Sequence, residues 1–410
     1  MIMNTVVRPE TEMKESGLQW LGEIPNDWKV SRVGNFFSFS SGDSLTNEEI
    51  RDEGMYLVYG ANGIRGYYSK YNLAEKRILL GRVGALAGNV HIVDGKVWVT
   101  EHALIASNKL DLVEEYYGYV FESMNLIQYS KSSAQPVISG DTLQKLRFPV
   151  PKLSEQQAIA DYLDETCSKI DEIIAEAKAS IDEYKELKQS VIFEAVTKGL
   201  DKNVEMKQCS VNWLDEIPST WESIRLKYLL TEINNRSETG TEQPLSVSQV
   251  MGVVPSYMIA VANPTASYVG QKIVEPNDIV FNKLKAHLGV FFMSKYHGLV
   301  SPDYAVYRTN DKVIPKYLEY LFHTSACISE FKKYISGVAE GLMRLYTSDL
   351  FNIRICLPKV DEQIKIVEYV ENKVELFDSL IAEKESLIND LESYKKSLIY
   401  EVVTGKRRVV

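Results

Sequence analysis

Two segments of the chain place apolar and polar residues with the spacing of a coiled coil. Apolar positions recur at alternating steps of three and four residues over about 43 residues, which predicts two helices of roughly 65 Å each. Each helix alone would expose its apolar stripe, so we expect the two to pair antiparallel. The predicted seam contains Ile159, Leu163, Ile170, Ile173 and Tyr184 in the first helix, and Ile366, Val370, Phe377, Leu380 and Leu391 in the second.

Three blocks of sequence occur twice, in the same order. WLGEIPNDW, from Trp20 to Trp28, returns as WLDEIPSTW from Trp213. YYGYVF from Tyr116 returns as YLEYLF from Tyr317, and PKLSEQ from Pro151 returns as PKVDEQ from Pro358. Chance is a poor explanation for three ordered repeats. The ends of the two copies match while the middles differ, which favours two readers on one scaffold over a duplication without functional meaning.

Each middle segment predicts an α+β domain. Short β-rich runs predict strands at 56–59, 78–80, 90–93, 97–100 and 103–106 in the first copy, and at 279–281, 290–293 and 304–307 in the second. Helices are predicted over 116–129 and 317–334, and Asp94-Gly95 predicts a hairpin turn. The predicted fold is therefore two α+β domains separated by two long antiparallel coiled-coil helices, with a pseudo-twofold internal repeat.

The repeats and predicted elements divide the chain into six parts. They are an N-terminal lead (1–26), a first α+β domain (27–150, domain 1), a central helix (151–200), a repeat lead (201–220), a second α+β domain (221–357, domain 2), and a C-terminal helix with a basic tail (358–410).

The charge of the chain lies mainly on its helices. The net charge is −10, and 151–200 and 358–404 each carry six Lys and eleven Asp or Glu residues. Both domains are close to neutral, so a DNA-binding role would need clustered cations or partners that supply charge. The acidic helix faces are either solvated or dock a partner protein. The four cysteines form no CxxC pair, and no secretory or membrane-spanning segment is apparent, so we expect a cytoplasmic protein.

Loops rich in Gly, Tyr and basic residues lie between the predicted strands. Glycine lets the backbone approach a phosphate, Arg and Gln can read base edges, and Tyr can stack or bond phosphate. Each loop alone is more often a simple turn, but recurrence at equivalent places favours function for the set. The candidate DNA-binding residues are Asn62, Arg65, Tyr67, Arg82, Ser133 and Gln135 in domain 1, and Lys283, Lys285, Arg344 and Tyr346 in domain 2.

Motifs for catalysis are missing from the sequence. There is no Walker A motif, no Asn/Asp-Pro-Pro-aromatic motif of adenine methyltransferases, and no metal-binding histidine pattern. Pro302-Asp303 resembles the start of a nuclease motif, but no Glu-x-Lys follows at a usable spacing. A stand-alone nuclease acting through Asp303 and a coiled-coil adaptor that binds only proteins are the two alternatives to a DNA-reading module.

The repeated Trp-Leu-x-Glu-Ile-Pro-x-x-Trp lead and the Glu-Gln block that opens each long helix resemble Type I restriction specificity subunits, over nearly the whole chain. The resemblance implies a non-catalytic subunit without a cofactor, in which each domain reads one half of a bipartite double-stranded DNA target. It also implies two modification subunits that use S-adenosylmethionine and two restriction subunits that use ATP and magnesium, with no membrane partner. The helices would then set the spacing of the halves and dock the modification subunits.

Overall fold

The computed structural model describes residues 4–131, 136–211, 213–259, 267–335 and 344–409. The chain divides into two compact units, one containing residues 1–178 with 385–410 (unit 1) and the other residues 179–384 (unit 2). Both long helices pass from one unit to the other. The α-helices of the described residues are α1 (Glu114–Ser123), α2 (Gly140–Lys145), α3 (Leu153–Lys198), α4 (Pro315–Phe322), α5 (Ser325–Lys333), α6 (Thr347–Asn352) and α7 (Val360–Val403).

Unit 1 contains domain 1, built on a four-stranded antiparallel sheet. The order in this sheet is β5-β11-β8-β9, and a second sheet has the order β10-β6-β7. The strands are β1 (Thr5–Val7), β2 (Met13–Glu15), β3 (Glu23–Pro25), β4 (Lys29–Arg32), β5 (Phe37–Ser41), β6 (Tyr56–Gly60), β7 (Gly63–Tyr68), β8 (Arg77–Gly81), β9 (Val90–Val93), β10 (Val97–Val99), β11 (Ala103–Asn108) and β12 (Arg147–Val150).

Aromatic rings fill the core between this sheet and α1. Phe37 lies with its ring centroid 5.5 Å from those of Tyr117 and Phe121, and the Tyr117 ring is 4.8 Å from that of Phe148. These side chains are buried. Edge-to-face and tilted ring pairs of this kind stabilise a core beyond their buried area alone.

Unit 2 contains domain 2, whose main sheet has the equivalent strands in the same order, β16-β23-β20-β21. The pairs β15–β24 and β13–β14 likewise match β4–β12 and β2–β3. The strands are β13 (Met206–Gln208), β14 (Glu216–Pro218), β15 (Glu222–Arg225), β16 (Leu230–Ile233), β17 (Leu245–Ser248), β18 (Gly252–Pro255), β19 (Lys272–Val274), β20 (Ile279–Phe281), β21 (Phe291–Met293), β22 (Gly298–Val300), β23 (Ala305–Thr309) and β24 (Arg354–Leu357). The predicted α+β fold with an internal repeat is confirmed.

The predicted domain helices are each interrupted. Asn125 adopts a left-handed φ of +48° and separates α1 from a short 3-10 turn, Leu126–Tyr129. In domain 2 the Thr324 hydroxyl accepts a hydrogen bond from the Cys327 amide and starts α5 as a new helix. The hairpin prediction at Asp94-Gly95 was also wrong, because β9 pairs with β8 whereas β10 pairs in parallel with β6.

The long helices pair antiparallel within each unit. In unit 1 the Lys395 ammonium lies 2.7 Å from both carboxylate oxygens of Asp171. In unit 2 Lys188 lies 2.5 Å from Asp378 Oδ1, next to the Tyr184–Phe377 ring pair at 6.3 Å. Residue numbers therefore rise along one helix as they fall along the other.

Most of the predicted seam residues are at least partly buried. Ile159, Leu163, Ile170, Ile366 and Val370 are buried, and Tyr184, Phe377, Leu380 and Leu391 are half-buried. Ile173 was placed wrongly, since it is 45% exposed and Ile174 is buried instead. The buried stripe contains Ile170, Ile174 and Ala177, so the step after Ile170 is four residues and not the predicted three.

The repeated sequence blocks meet at a junction in each unit. Trp28 Nε1 donates to Glu155 of α3 at 2.9 Å, and Trp221 Nε1 donates to Glu362 of α7 at 3.1 Å. The far end of the other long helix reaches the same place. Tyr116 donates to the Val403 carbonyl at 3.1 Å in unit 1, and Tyr317 donates to the Val196 carbonyl at 2.8 Å in unit 2. All three repeated blocks therefore serve one structural purpose.

A buried glutamine completes each junction. Gln156 accepts from the Val113 amide at 3.2 Å and donates to the Pro151 carbonyl at 3.1 Å. Gln363 accepts from the Ile314 amide at 2.9 Å and donates to the Pro358 carbonyl at 3.0 Å. Each side chain thus ties the backbone before α1 or α4 to the turn that opens a long helix.

A glycine follows each long helix. Gly199 and Gly405 have φ values of +77° and +76°. A side chain at Gly405 would also place its Cβ 2.5 Å from the Pro25 ring. After Gly405 the chain forms β25 (Arg407–Val409), which pairs antiparallel with β1. The lead, the helix end and the tail thereby form one packed corner of unit 1.

We predict that Gln156→Leu destabilises unit 1. The substitution leaves the buried Val113 amide and Pro151 carbonyl without partners, at a cost of about 1–3 kcal/mol each. Gln157→Leu is the matched control, since Gln157 is exposed and, among the described residues, its side chain bonds Asp161 of its own helix. Thermal unfolding and hydrogen exchange of the Val113 amide measure the effect. Equal behaviour of the two variants would show that the Gln156 hydrogen bonds are dispensable.

Candidate nucleic-acid interface

In each domain the candidate loops lie at one end of the main sheet, but Arg65 and Tyr67, which were predicted in a loop, belong to β7 of the second sheet. In domain 1, β8 ends at Gly81 opposite Ala103 of β11, and Arg82 follows. The other end of β11 continues into Lys109, which lines a cavity with Ser154 at the start of α3. The candidate loops therefore lie at the end of the sheet remote from the helix junction, which we call the free edge.

Three loops of domain 1 contact one another at the free edge. Asn89 Nδ2 donates to Asn62 Oδ1 at 2.9 Å and joins loop 81–89 to loop 60–63. The Ile138 amide donates to the Arg82 carbonyl at 2.8 Å, which adds the segment 136–138. At Gly81 a Cβ would lie 2.5 Å from the Ala61 carbonyl oxygen, so the close approach of these loops requires glycine. The sequence-predicted loops thus form one surface.

The basic side chains of this surface rest on neutral oxygen atoms. Arg82 Nη1 donates to the Ser41 hydroxyl at 2.7 Å, and the exposed Arg65 donates to Asn47 Oδ1 at 2.6 Å. Tyr67 is half-buried in β7. A neutral acceptor orients a guanidinium group without neutralising its positive charge. That charge can then attract an anion, which is what an anion-binding surface requires. Ser133 and Gln135 lie outside the described residues.

Domain 2 brings its candidate residues together in the same way. Asn282 ends the strand segment by accepting a hydrogen bond from the Leu284 amide, which starts the 3-10 turn Lys283–Leu288. The Leu345 amide donates to the Lys283 carbonyl at 3.1 Å. Lys283 therefore lies beside the segment that carries Arg344 and the exposed Tyr346, while Lys285 is exposed on the same turn.

Arg82 and Lys283 occupy equivalent positions. Both follow equivalent strands, β8 and β20, and both offer their carbonyl to an amide of the returning segment, at Ile138 and Leu345. The position thus carries a cation in both domains, although the neighbouring loops differ in sequence. Such a correspondence is visible only once the two sheets are compared strand by strand.

Sequence reasoning missed a second basic group in domain 2. Lys272 opens β19, is only 4% exposed, and donates to the Tyr304 carbonyl at 2.8 Å. Burial lowers the pKa of its ammonium group, and the nearby charge of Lys283 lowers it further. Lysine in a short strand is usually solvated, so no pattern in the sequence indicated that this lysine lies inside the domain beside Lys283.

The described side chains form no metal centre. Among them, no group of three or more His, Cys, Asp or Glu residues could hold a metal ion. Asp303, the candidate nuclease residue, is exposed. Cys209 and Cys356 have their sulfur atoms 3.1 Å apart, a proximity that their separation in the sequence conceals. Over the same part of the chain, no helix is long and apolar enough to cross a membrane.

The model of the family described as Type I restriction modification DNA specificity domain matches residues 25–183 and 218–392. The chain belongs to this family. The two matched regions cover the two domains and most of both long helices, so the internal repeat corresponds to two copies of the family domain.

Relatives named as specificity subunits match all or part of the chain. The specificity subunit of the Type I restriction enzyme MjaVIII from Methanocaldococcus jannaschii is 24% identical over 94% of each chain. That of EcoprrI from Escherichia coli is 34% identical over 140 residues, covering 33% of this chain and 35% of the relative. These matches identify the chain as a specificity subunit, a non-catalytic component of a Type I restriction–modification system.

Solved structures share the fold. A chain from work on complex assembly and conformational transition of the type I R-M system has a TM-score of 0.67 at 14% identity, covering 93% of this chain and 99% of that one. The HsdS subunit from Thermoanaerobacter tengcongensis has a TM-score of 0.52 at 15% identity, covering 93% and 98%. The predicted family, fold class and specificity role are confirmed, and the matches favour them over the nuclease and the adaptor.

Proposed function

We propose that each domain of this specificity subunit reads one half of an asymmetric, bipartite DNA target through the loops at its free edge. The observation that carries this proposal is the equivalence of Arg82 and Lys283 in two sheets of the same strand order. The main sheet, which has the same strand order in both domains, positions one cation in each. The loops around that cation differ between the domains and supply different base contacts. Phosphate contacts fix register and base contacts give specificity, so the arrangement suits two independent readers.

Partnership with other subunits of the restriction–modification system and with DNA is supported by the family and by the named relatives. In finer detail, we propose that two modification subunits supply S-adenosylmethionine and two restriction subunits supply ATP and magnesium chemistry, while this chain holds no cofactor itself. The modification subunits would dock on the acidic helices and would hold the DNA together with this chain. The near-neutral charge of the domains then needs no further explanation.

The decisive experiment is co-expression with a Type I modification subunit, followed by mapping of N6-methyladenine across the host DNA. We expect a single asymmetric motif in two parts. A stable complex without new methylation would indicate a mismatched partner, whereas the absence of both complex and methylation would favour the protein-binding adaptor.

We predict that substitutions at the two free edges act on different half-sites. Arg82→Ala or Arg65→Ala should relax the methylated motif in one half, and Arg344→Ala in the other, by about 1–3 kcal/mol where a base contact is lost. Lys109→Ala and Lys312→Ala are controls at the opposite ends of the two sheets and should leave the motif unchanged. Equal relaxation of both halves by one substitution would contradict independent readers.

We further propose that the long helices set the spacing between half-sites, because both pass from one unit to the other. Deleting one heptad from each helix in matching register keeps the apolar stripe in phase. The deletion should shorten the gap between the two methylated half-sites, as read from the same methylation map. A methylated motif with its original gap would mean that something other than the helices measures the distance.

A further inference from the structure

Two lysines of domain 2 share one carboxylate oxygen atom. Lys283 Nζ lies 3.7 Å from Glu232 Oε1, and Lys272 Nζ lies 4.0 Å from the same atom. Both distances are longer than a hydrogen bond. Glu232 therefore offsets positive charge without saturating the donors of either ammonium group.

The cluster keeps a net positive charge. Arg236 pairs with Lys272 through a backbone bridge and adds a third cation, and Asp303 is the second acid whose charge reaches Lys272. Arg236 itself donates to the Gly270 carbonyl at 2.9 Å. The charges of Lys283, Arg236, Glu232 and Asp303 all act on Lys272, so three cations outnumber two acids and positive charge is left for a further anion.

Donor capacity remains at this cluster. An ammonium group has three N–H donors, and Lys272 uses one of them on the Tyr304 carbonyl. Among the described residues, Lys283 Nζ has an ion-pair partner in Glu232 but no hydrogen-bond acceptor. The side chain of Lys272 is 5% exposed and that of Lys283 23%, so a ligand would approach from the Lys283 side, with Lys272 behind it.

The cluster lies at the free edge of domain 2. The Leu345 amide bonds the Lys283 carbonyl, which places Arg344 and Tyr346 beside it. The buried Tyr307, whose pKa is raised by burial and by the charge of Glu232, bonds Thr347 at 3.0 Å on the same segment. An anion bound between the two lysines would therefore lie next to the residues placed to read bases.

We propose that Lys283 and Lys272 form the contact for one phosphate of the DNA backbone, and that Glu232 is a resident anion which limits how tightly this contact holds DNA of any sequence. The proposal rests on the DNA-reading function above and assigns one part of its interface. Lysine acts as a point charge suited to a phosphate oxygen, whereas base recognition is served better by the fork of arginine. Domain 1 lacks this restraint at the equivalent position, because Arg82 rests on the hydroxyl of Ser41.

The test uses the purified complex of the full chain with modification subunits and two duplexes of equal length. One contains the mapped motif and the other is unrelated in sequence. Affinity is measured for both between 50 and 200 mM salt. A lost phosphate contact lowers the slope of log affinity against log salt by about 1 and weakens both duplexes alike.

We expect Lys283→Gln to weaken both duplexes on the order of five-fold and to lower the salt slope by about 1. Glu232→Gln should strengthen the unrelated duplex by a similar factor, because it removes the competing anion. Lys312→Gln, at the opposite end of the sheet, should match the wild type. Thermal unfolding of each variant separates a change in affinity from a loss of folded protein.

Several results would overturn the assignment. If Lys283→Gln weakened only the duplex with the motif, Lys283 would be a base contact. If it left the slope at the wild-type value, no phosphate would bind there. If Glu232→Gln lowered stability without strengthening the unrelated duplex, Glu232 would merely hold Lys272. The unrelated duplex tests the phosphate contact even if the wild type shows no sequence preference, so failure of the proposed function is detected separately.

Discussion

The rest of each unit depends on one buried amide side chain. Gln156 and Gln363 each satisfy a donor and an acceptor of the backbone at the point where a domain meets its long helix. A glutamine suits this place because its amide both donates and accepts, and a buried polar backbone group left without a partner is costly. Tyr116 and Tyr317 bring the end of the other helix to the same point. The residues that repeat along the chain are thus those that the junction needs.

The strands and long helices that local patterns predicted are present, but other strands were missed, among them β7, and errors arose where tertiary contacts decide. Heptad spacing located both long helices but placed Ile173 in the seam, where the structure buries Ile174 instead. An apolar stripe with a strict 3.5-residue period and one that shifts by one residue differ little over a few helical turns. The break at Asn125 depends on a single left-handed residue, which a helical pattern does not reveal. The chain bends at Gly95, but the strands on either side belong to different sheets.

The candidate site was predicted in part for a similar reason. Loop composition pointed to Arg82 and Lys283, and the structure brings each beside the returning segment of its domain. Lys272 carries no sequence signal, because its importance comes from burial against Tyr304 and from sharing Glu232. Equivalent frames with different local partners explain how one architecture can present two unlike surfaces. The sheet fixes the position of the cation, Arg82 or Lys283, whereas the side chain that contacts it differs between the domains: Ser41 in one and Glu232 in the other.

The make-up of unit 1 has a consequence for how the chain folds during synthesis. Unit 2 is continuous in sequence, whereas unit 1 joins residues 1–178 to residues 385–410, including the pairing of β1 with β25. Domains fold as units while translation proceeds from the N-terminus. The first domain to emerge must therefore keep its apolar junction surface, including Trp28 and Tyr116, uncovered until the far end of α7 has been made.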